Sequence, residues 1–185
     1  MQEKLEKIRS FADHAHGDQQ RKYHPERYIE HPVRVMNTCK RFTDDVTVLG
    51  AALLHDVLED TPVTKDELRL FLSDLLGPQD AARTLALVID LTDIYTKKNY
   101  PELNRAKRKS KEFERLSNTG ALAQSIKYAD VIDNSVGIAK QDRDFADVSL
   151  REYKELLSRL DKGNAKLRSE AMAVVERERQ VLKRK

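Results

Sequence analysis

Apolar residues recur three and four positions apart along nearly the whole chain, and strict alternation nowhere extends beyond a few residues. That spacing predicts a string of helices and no sheet. Leu5, Ile8, Phe11, Ala12 and Ala15 form the stripe of a first helix, which should stop at Gly17, a residue free to take the left-handed cap conformation. A polar loop around Tyr23, His24 and Pro25 leads to a second helix from about Arg27 to Phe42. Thr43, Asp44 and Asp45 offer capping oxygens for a third. This third segment, VTVLGAALLHDVLED, is apolar almost all round at its start and reads as one buried helix bounded by Thr61 and Pro62. Thr64 with Glu67 three positions on has the spacing of a capping box, opening a helix that should end at Gly77 and Pro78. Further helices are predicted over residues 81–91, 101–116 (opened by Pro101), 121–139, 148–160 and 165–182. The expected fold class is all-α, a single bundle of eight to ten helices.

Length and composition fit this picture. With 185 residues, 39% hydrophobic and 35% charged, the chain suits one soluble domain with a core of its own. We expect that domain over residues 1–164. A basic helix over residues 165–185 could pack on it, mediate a dimer or protrude, and packing on the same domain is the expectation. No apolar run approaches the roughly 20 residues that span a bilayer, and the opening MQEKLEKIRS has no signal-peptide core. A cytoplasmic protein with no membrane partner is expected; a homo-oligomer is left open. The lone cysteine, Cys39, has no internal disulfide partner and lies in no nucleophile or metal motif, so it reads as structural. The formal charge is only +3, but residues 97–115 hold eight basic side chains against Glu102, Glu112 and Glu114. Such an excess either attracts a polyanion or forms a solvated face of mixed-sign pairs.

Chemistry enters where the buried helix delivers His55, Asp56, Glu59 and Asp60. Residues four apart share a helix face, so Glu59 should stand over His55 and Asp60 over Asp56. Taken alone the cluster could be a helix leaving the core for solvent. A divalent ion needs donors from elsewhere, and two segments offer them. His31 follows Tyr28, Ile29 and Glu30 on the preceding helix; by itself it could be a packing or capping residue. Asp130 lies in an otherwise apolar stretch with Asn134 four residues on. A buried acid is costly unless paired, and an ion pair with Lys127 would serve as well as a metal.

These segments together resemble the HD-domain phosphohydrolases, and among them the small alarmone hydrolases and the hydrolase domain of the Rel and SpoT enzymes. The resemblance is carried by Ala15-His16, Gln19, Arg21-Lys22, Tyr28-Ile29 and His31-Pro32, by Ala52 to Asp56 followed by Glu59 to Thr61, and by Lys127, Ala129-Asp130 and Asn134. It covers about residues 5–160. The chain departs from the family in the loop from Lys22 to Tyr28, which is one residue longer, and at Asp18, Val131 and Asp133, where glycine, arginine and histidine are common.

The resemblance implies that His31, His55, Asp56 and Asp130 hold one divalent ion. Mixed imidazole and carboxylate donors suit several borderline divalent metals, and only the resemblance favours Mn²⁺. All five histidines lie at or before His55, which fits one metal rather than two. Glu59 and Asp60 match the family's catalytic acids, Arg21 and Lys22 its guanine-side contacts, and Asn134 a residue near the ribose. Arg105 and Lys109 are candidate phosphate contacts and Tyr153 a candidate to close the pocket. The implied reaction is metal-dependent 3′-pyrophosphohydrolysis of (p)ppGpp to GDP or GTP and pyrophosphate, with a small nucleotide rather than nucleic acid as partner. The competing readings are an HD-type phosphatase acting on NADPH or another nucleotide phosphate, and a nucleotide sensor without turnover. An intact Glu59-Asp60 pair argues against the sensor, since binding alone needs no water-activating acid.

Overall fold

The computed structural model describes residues 1–21 and 26–184, and the chain forms two compact units, Met1–Thr92 and Asp93–Lys185. Among the described residues it is all-α. Two of the eleven helices among these residues are single turns of four residues, and the only strand-like pairing among them is an isolated bridge between Gln20 and Arg27.

The first unit is built around α3 (Val46–Leu54), whose residues from Thr47 onward are all buried. Asp45 caps it, its side chain accepting from Thr47 N at 2.9 Å. Helices α1 (Gln2–His16), α2 (Glu30–Lys40) and α6 (Pro78–Leu91) pack against it. Gly50 makes that packing close, because a Cβ there would meet Ile8 Cδ1 of α1 at 3.0 Å and Thr84 Cγ2 of α6 at 3.6 Å. Helix α5 (Lys65–Leu76) begins with the expected Thr64–Glu67 capping box and lies on α6, burying Leu68 and Leu72 completely. Each such leucine contributes roughly 1.5–3 kcal/mol of burial free energy.

The expected third helix is interrupted. It ends at Leu54, and a separate turn, α4 (Val57–Asp60), follows. Between them Asp56 takes φ −98° and ψ −7°, the bridge region typical of turns. Asp60 N still bonds the Asp56 carbonyl at 2.9 Å, so the two acids remain one turn apart. The second helix begins at Glu30 rather than Arg27, since Gln20 and Arg27 are bridged beforehand, with Tyr28 N bonding the Gln19 carbonyl at 2.9 Å.

The second unit contains α7 (Arg105–Ser117), α8 (Ala121–Ser135), α9 (Ile138–Gln141), α10 (Arg143–Arg159) and α11 (Ala165–Lys183). Helix α11 packs on α8, α9 and α10, and α10 also on α7. The proline-opened start at Pro101 is not used: Asn104 caps α7 instead, accepting from Lys107 N at 2.9 Å. The expected helix over 121–139 breaks at Gly137, whose φ of 76° lies in the left-handed region open to glycine. Asp142 caps α10, accepting from Phe145 N at 3.0 Å, so that the helix begins at Arg143, five residues before the expected position.

Candidate metal centre

His31 lies in the first turn of α2 and His55 at the end of α3, both only 2% exposed, and Asp56 follows directly. One donor atom from each falls within 4.8 Å of the other two. His55 Nε2 lies 3.1 Å and His31 Nε2 3.5 Å from Asp56 Oδ2. Ligand atoms around a divalent ion at about 2.1 Å sit roughly 3–3.5 Å apart, which matches these spacings.

Hydrogen bonding around the cluster supports the same fit. His55 Nδ1 lies 2.8 Å from the Ala52 carbonyl oxygen. A carbonyl can only accept, so Nδ1 carries the hydrogen, and Nε2 is the ring atom left to face Asp56. A lone pair facing a carboxylate calls for a cation or proton between them, and ligating histidines are commonly oriented through the other ring nitrogen in this way. Burial works to raise the Asp56 pKa, but the imidazoles of His55 and His31 outweigh it and hold the carboxyl well below the usual range. The residues therefore fit a divalent metal ion.

Asp60 is joined to this cluster through Tyr28, whose hydroxyl donates to Asp56 Oδ2 at 2.7 Å and lies 3.0 Å from Asp60 Oδ2. Withdrawal from water, then the charge of Asp56, raises the Asp60 carboxyl above its ordinary pKa. Glu59 is exposed on the same turn. Arg21 is half-buried at the edge of the α1–α2 loop, its backbone N 3.4 Å from the Glu26 carbonyl. Lys22, the other expected guanine-side contact, lies outside the described residues.

In the second unit, Asp130 is 5% exposed on α8. Its Oδ2 meets Lys127 Nζ at 2.8 Å, and its Oδ1 accepts from Asn134 Nδ2 at 2.6 Å. The ion pair raised as an alternative from sequence is thus formed, and Asn134 is brought to the same carboxylate. Arg105 makes a two-pronged pair with Glu152, Nε to Oε1 at 2.7 Å and Nη2 to Oε2 at 2.8 Å. That pairing, with the neighbouring Tyr153 also acting on it, raises the guanidinium pKa. Lys109 pairs with Asp93 at 3.1 Å and Arg115 with Glu112. Three of the eight basic side chains over residues 97–115 are therefore paired with acids nearby.

Tyr28, His16 and Gln19 received no role from the sequence beyond carrying the family resemblance. Their signal was their place in that motif. Their contacts run across the chain, as where Gln19 Nε2 donates to the Asp60 carbonyl at 2.8 Å.

Fold and cluster define an all-α protein that presents, where a buried helix ends, a histidine–aspartate cluster able to hold a metal ion. The chain belongs to the HD-domain family, whose pattern matches residues 9–161. Mouse guanosine-3′,5′-bis(diphosphate) 3′-pyrophosphohydrolase MESH1 is 36% identical over 128 residues, covering 67% of this chain. The aligned region spans only 63% of the mouse protein's length. The Xenopus tropicalis MESH1 is 30% identical over 159 residues, 83% of this chain and 80% of that protein. A solved structure of a metazoan orthologue of SpoT, described as hydrolysing ppGpp and acting in starvation responses, superposes with a TM-score of 0.75 at 26% identity, covering 96% of both chains.

Proposed function

We propose that this protein is a (p)ppGpp 3′-pyrophosphohydrolase. The observation that carries the reading is the convergence of His31 Nε2 and His55 Nε2 on Asp56, with Asp60 tied to the same carboxylate through the Tyr28 hydroxyl. Relatives named for this activity support the choice of substrate. His31, His55 and Asp56 would hold one divalent ion, with Asp130 assigned as a further ligand and Mn²⁺ as the metal on the family resemblance. Such an ion acidifies water and offsets negative charge on phosphoryl oxygens.

The chain's own acids handle the proton. Asp60, with Glu59 beside it, orients the attacking water and takes its proton as the water oxygen bonds to the phosphorus on O3′. The P–O3′ bond breaks, its electron pair goes to O3′, and a proton returned there leaves a 3′-hydroxyl. With ppGpp the products are GDP and pyrophosphate. The raised pKa of Asp60 suits a group that must hold a proton for part of the cycle. Arg21 and Lys22 are assigned to the guanine, where a guanidinium plane can stack on a base. Asn134 is assigned to the ribose, Arg105 and Lys109 to phosphate, and Tyr153 to closing the pocket. A cytoplasmic location is part of the same proposal.

The test is a product-resolved assay of the Mn²⁺-loaded chain. Equimolar GDP and pyrophosphate from ppGpp are expected. Orthophosphate from NADPH or another nucleotide, with ppGpp intact, would select the phosphatase instead. No turnover with any divalent ion would remove the hydrolase reading.

A further inference from the structure

A closed circuit of contacts surrounds Asp60 in the first unit. Its backbone carbonyl accepts from Gln19 Nε2 at 2.8 Å. The Gln19 amide nitrogen is thereby committed as donor, so Gln19 Oε1 accepts from His16 Nδ1 at 2.9 Å. The His16 ring, 3% exposed, lies against the Tyr28 ring with centroids 4.4 Å apart and planes at 28°. The circuit closes where the Tyr28 hydroxyl reaches Asp60 Oδ2 at 3.0 Å and Asp56 Oδ2 at 2.7 Å. On its other side Tyr28 meets His31 edge-on, centroids 5.9 Å apart.

We propose that Tyr28 is a positioning residue, seated by His16 and Gln19, whose one hydroxyl proton fixes the Asp56 carboxylate for the metal and holds Asp60 in register with it. The inference rests on the metal-site reading above. Two carboxylates this close repel, and a shared hydroxyl proton gives both an acceptor role without neutralising either. Its stronger bond goes to Asp56, the group that must face the ion. His16 uses Nδ1 for Gln19 and its face for Tyr28, while its buried Nε2 has no hydrogen-bond partner among the described residues. That is the pattern of an imidazole kept as a platform. Gln19 in turn spans α1 and α4, elements that pack together, so the tyrosine's seat and the acid it orients are set by one link.

Tyr28→Phe removes the hydroxyl while keeping the ring and its stacking. Mn²⁺ alone is titrated into the metal-free chain by calorimetry, with no nucleotide present. Loss of a bond that orients a ligand weakens metal affinity by about 10–100-fold, and that loss is expected at an unchanged melting temperature. At saturating Mn²⁺ and ppGpp, kcat should fall while KM stays within about twofold, since Asp60 touches the attacking water rather than the base. Gln19→Leu, at a more exposed position, should lower kcat in the same direction, and the double variant should be less impaired than the two losses multiplied. Native Mn²⁺ affinity in Tyr28→Phe overturns the proposal, and strictly multiplicative losses overturn the circuit. Should the native chain bind Mn²⁺ yet leave ppGpp intact, the substrate assignment fails while the affinity comparison still decides the role of Tyr28.

Discussion

Asp45 caps the helix whose far end presents His55, and replacing it tests how firmly that helix is anchored. Its carboxylate accepts from Thr47 N at 2.9 Å and from Thr47 Oγ1 at 2.7 Å, and meets Arg83 Nη2 of α6 at 3.0 Å. Losing an N-cap side chain costs about 0.5–2 kcal/mol. The Arg83 pair, with side chains 50% and 33% exposed, adds at most a few tenths because water screens it. Asp45→Ala should therefore lose roughly 1–2 kcal/mol, which for a chain of this size lowers Tm by about 3–6 °C. Part of that loss depends on pH. Burial works to raise the Asp45 pKa, but the bonds from Thr47 and then the Arg83 charge outweigh it and hold it below the ordinary value. A carboxyl depressed on folding contributes stability that is fully present above its unfolded pKa of about 3.9 and is lost as pH falls through the folded value. Melts followed by circular dichroism should show a constant gap between native and variant from about pH 5 to 8, narrowing in acid. A gap as wide at pH 3 as at pH 7 would refute the assignment of the cap to the ionised carboxylate.

Two further outcomes concern the metal. Adding Mn²⁺ at about 100 times its Kd should stabilise the metal-free chain by about 2.7 kcal/mol; a chelator should reverse the shift in Tm, and His55→Ala should abolish it, so an equal shift in that variant would remove His55 from the ligand set. Asp130→Ala should eliminate stoichiometric metal while the far-ultraviolet dichroism stays helical. Full metal occupancy in that variant would make the Lys127–Asp130 pair purely structural.

The helices were legible because burial is periodic. Leu5, Ile8 and Ala12 on α1, and Leu68, Leu72 and Leu76 on α5, are buried where the spacing puts them. Boundaries were less so, since several residues compete to cap one end: Asn104 outcompetes Pro101, and Gly137 divides a stretch whose apolar period continues across it. The Lys127–Asp130 pair could be read because it is local, three residues apart. The circuit through Tyr28 could not, because its partners lie 28 and 32 residues away and nothing in local spacing joins them.

The break between α3 and α4 was equally hidden, since VTVLGAALLHDVLED keeps a helical pattern throughout, yet it bears on the chemistry. The last four carbonyls of a helix have no partner within it, and ending at Leu54 places the Ala52 carbonyl among them. His55 Nδ1 donates to that oxygen, which selects the tautomer and leaves Nε2 directed at Asp56. An apolar run supplies the burial of His55, and its termination supplies the acceptor that orients the ring. The His-Asp pair gains a geometry that fits a metal from where the helix stops.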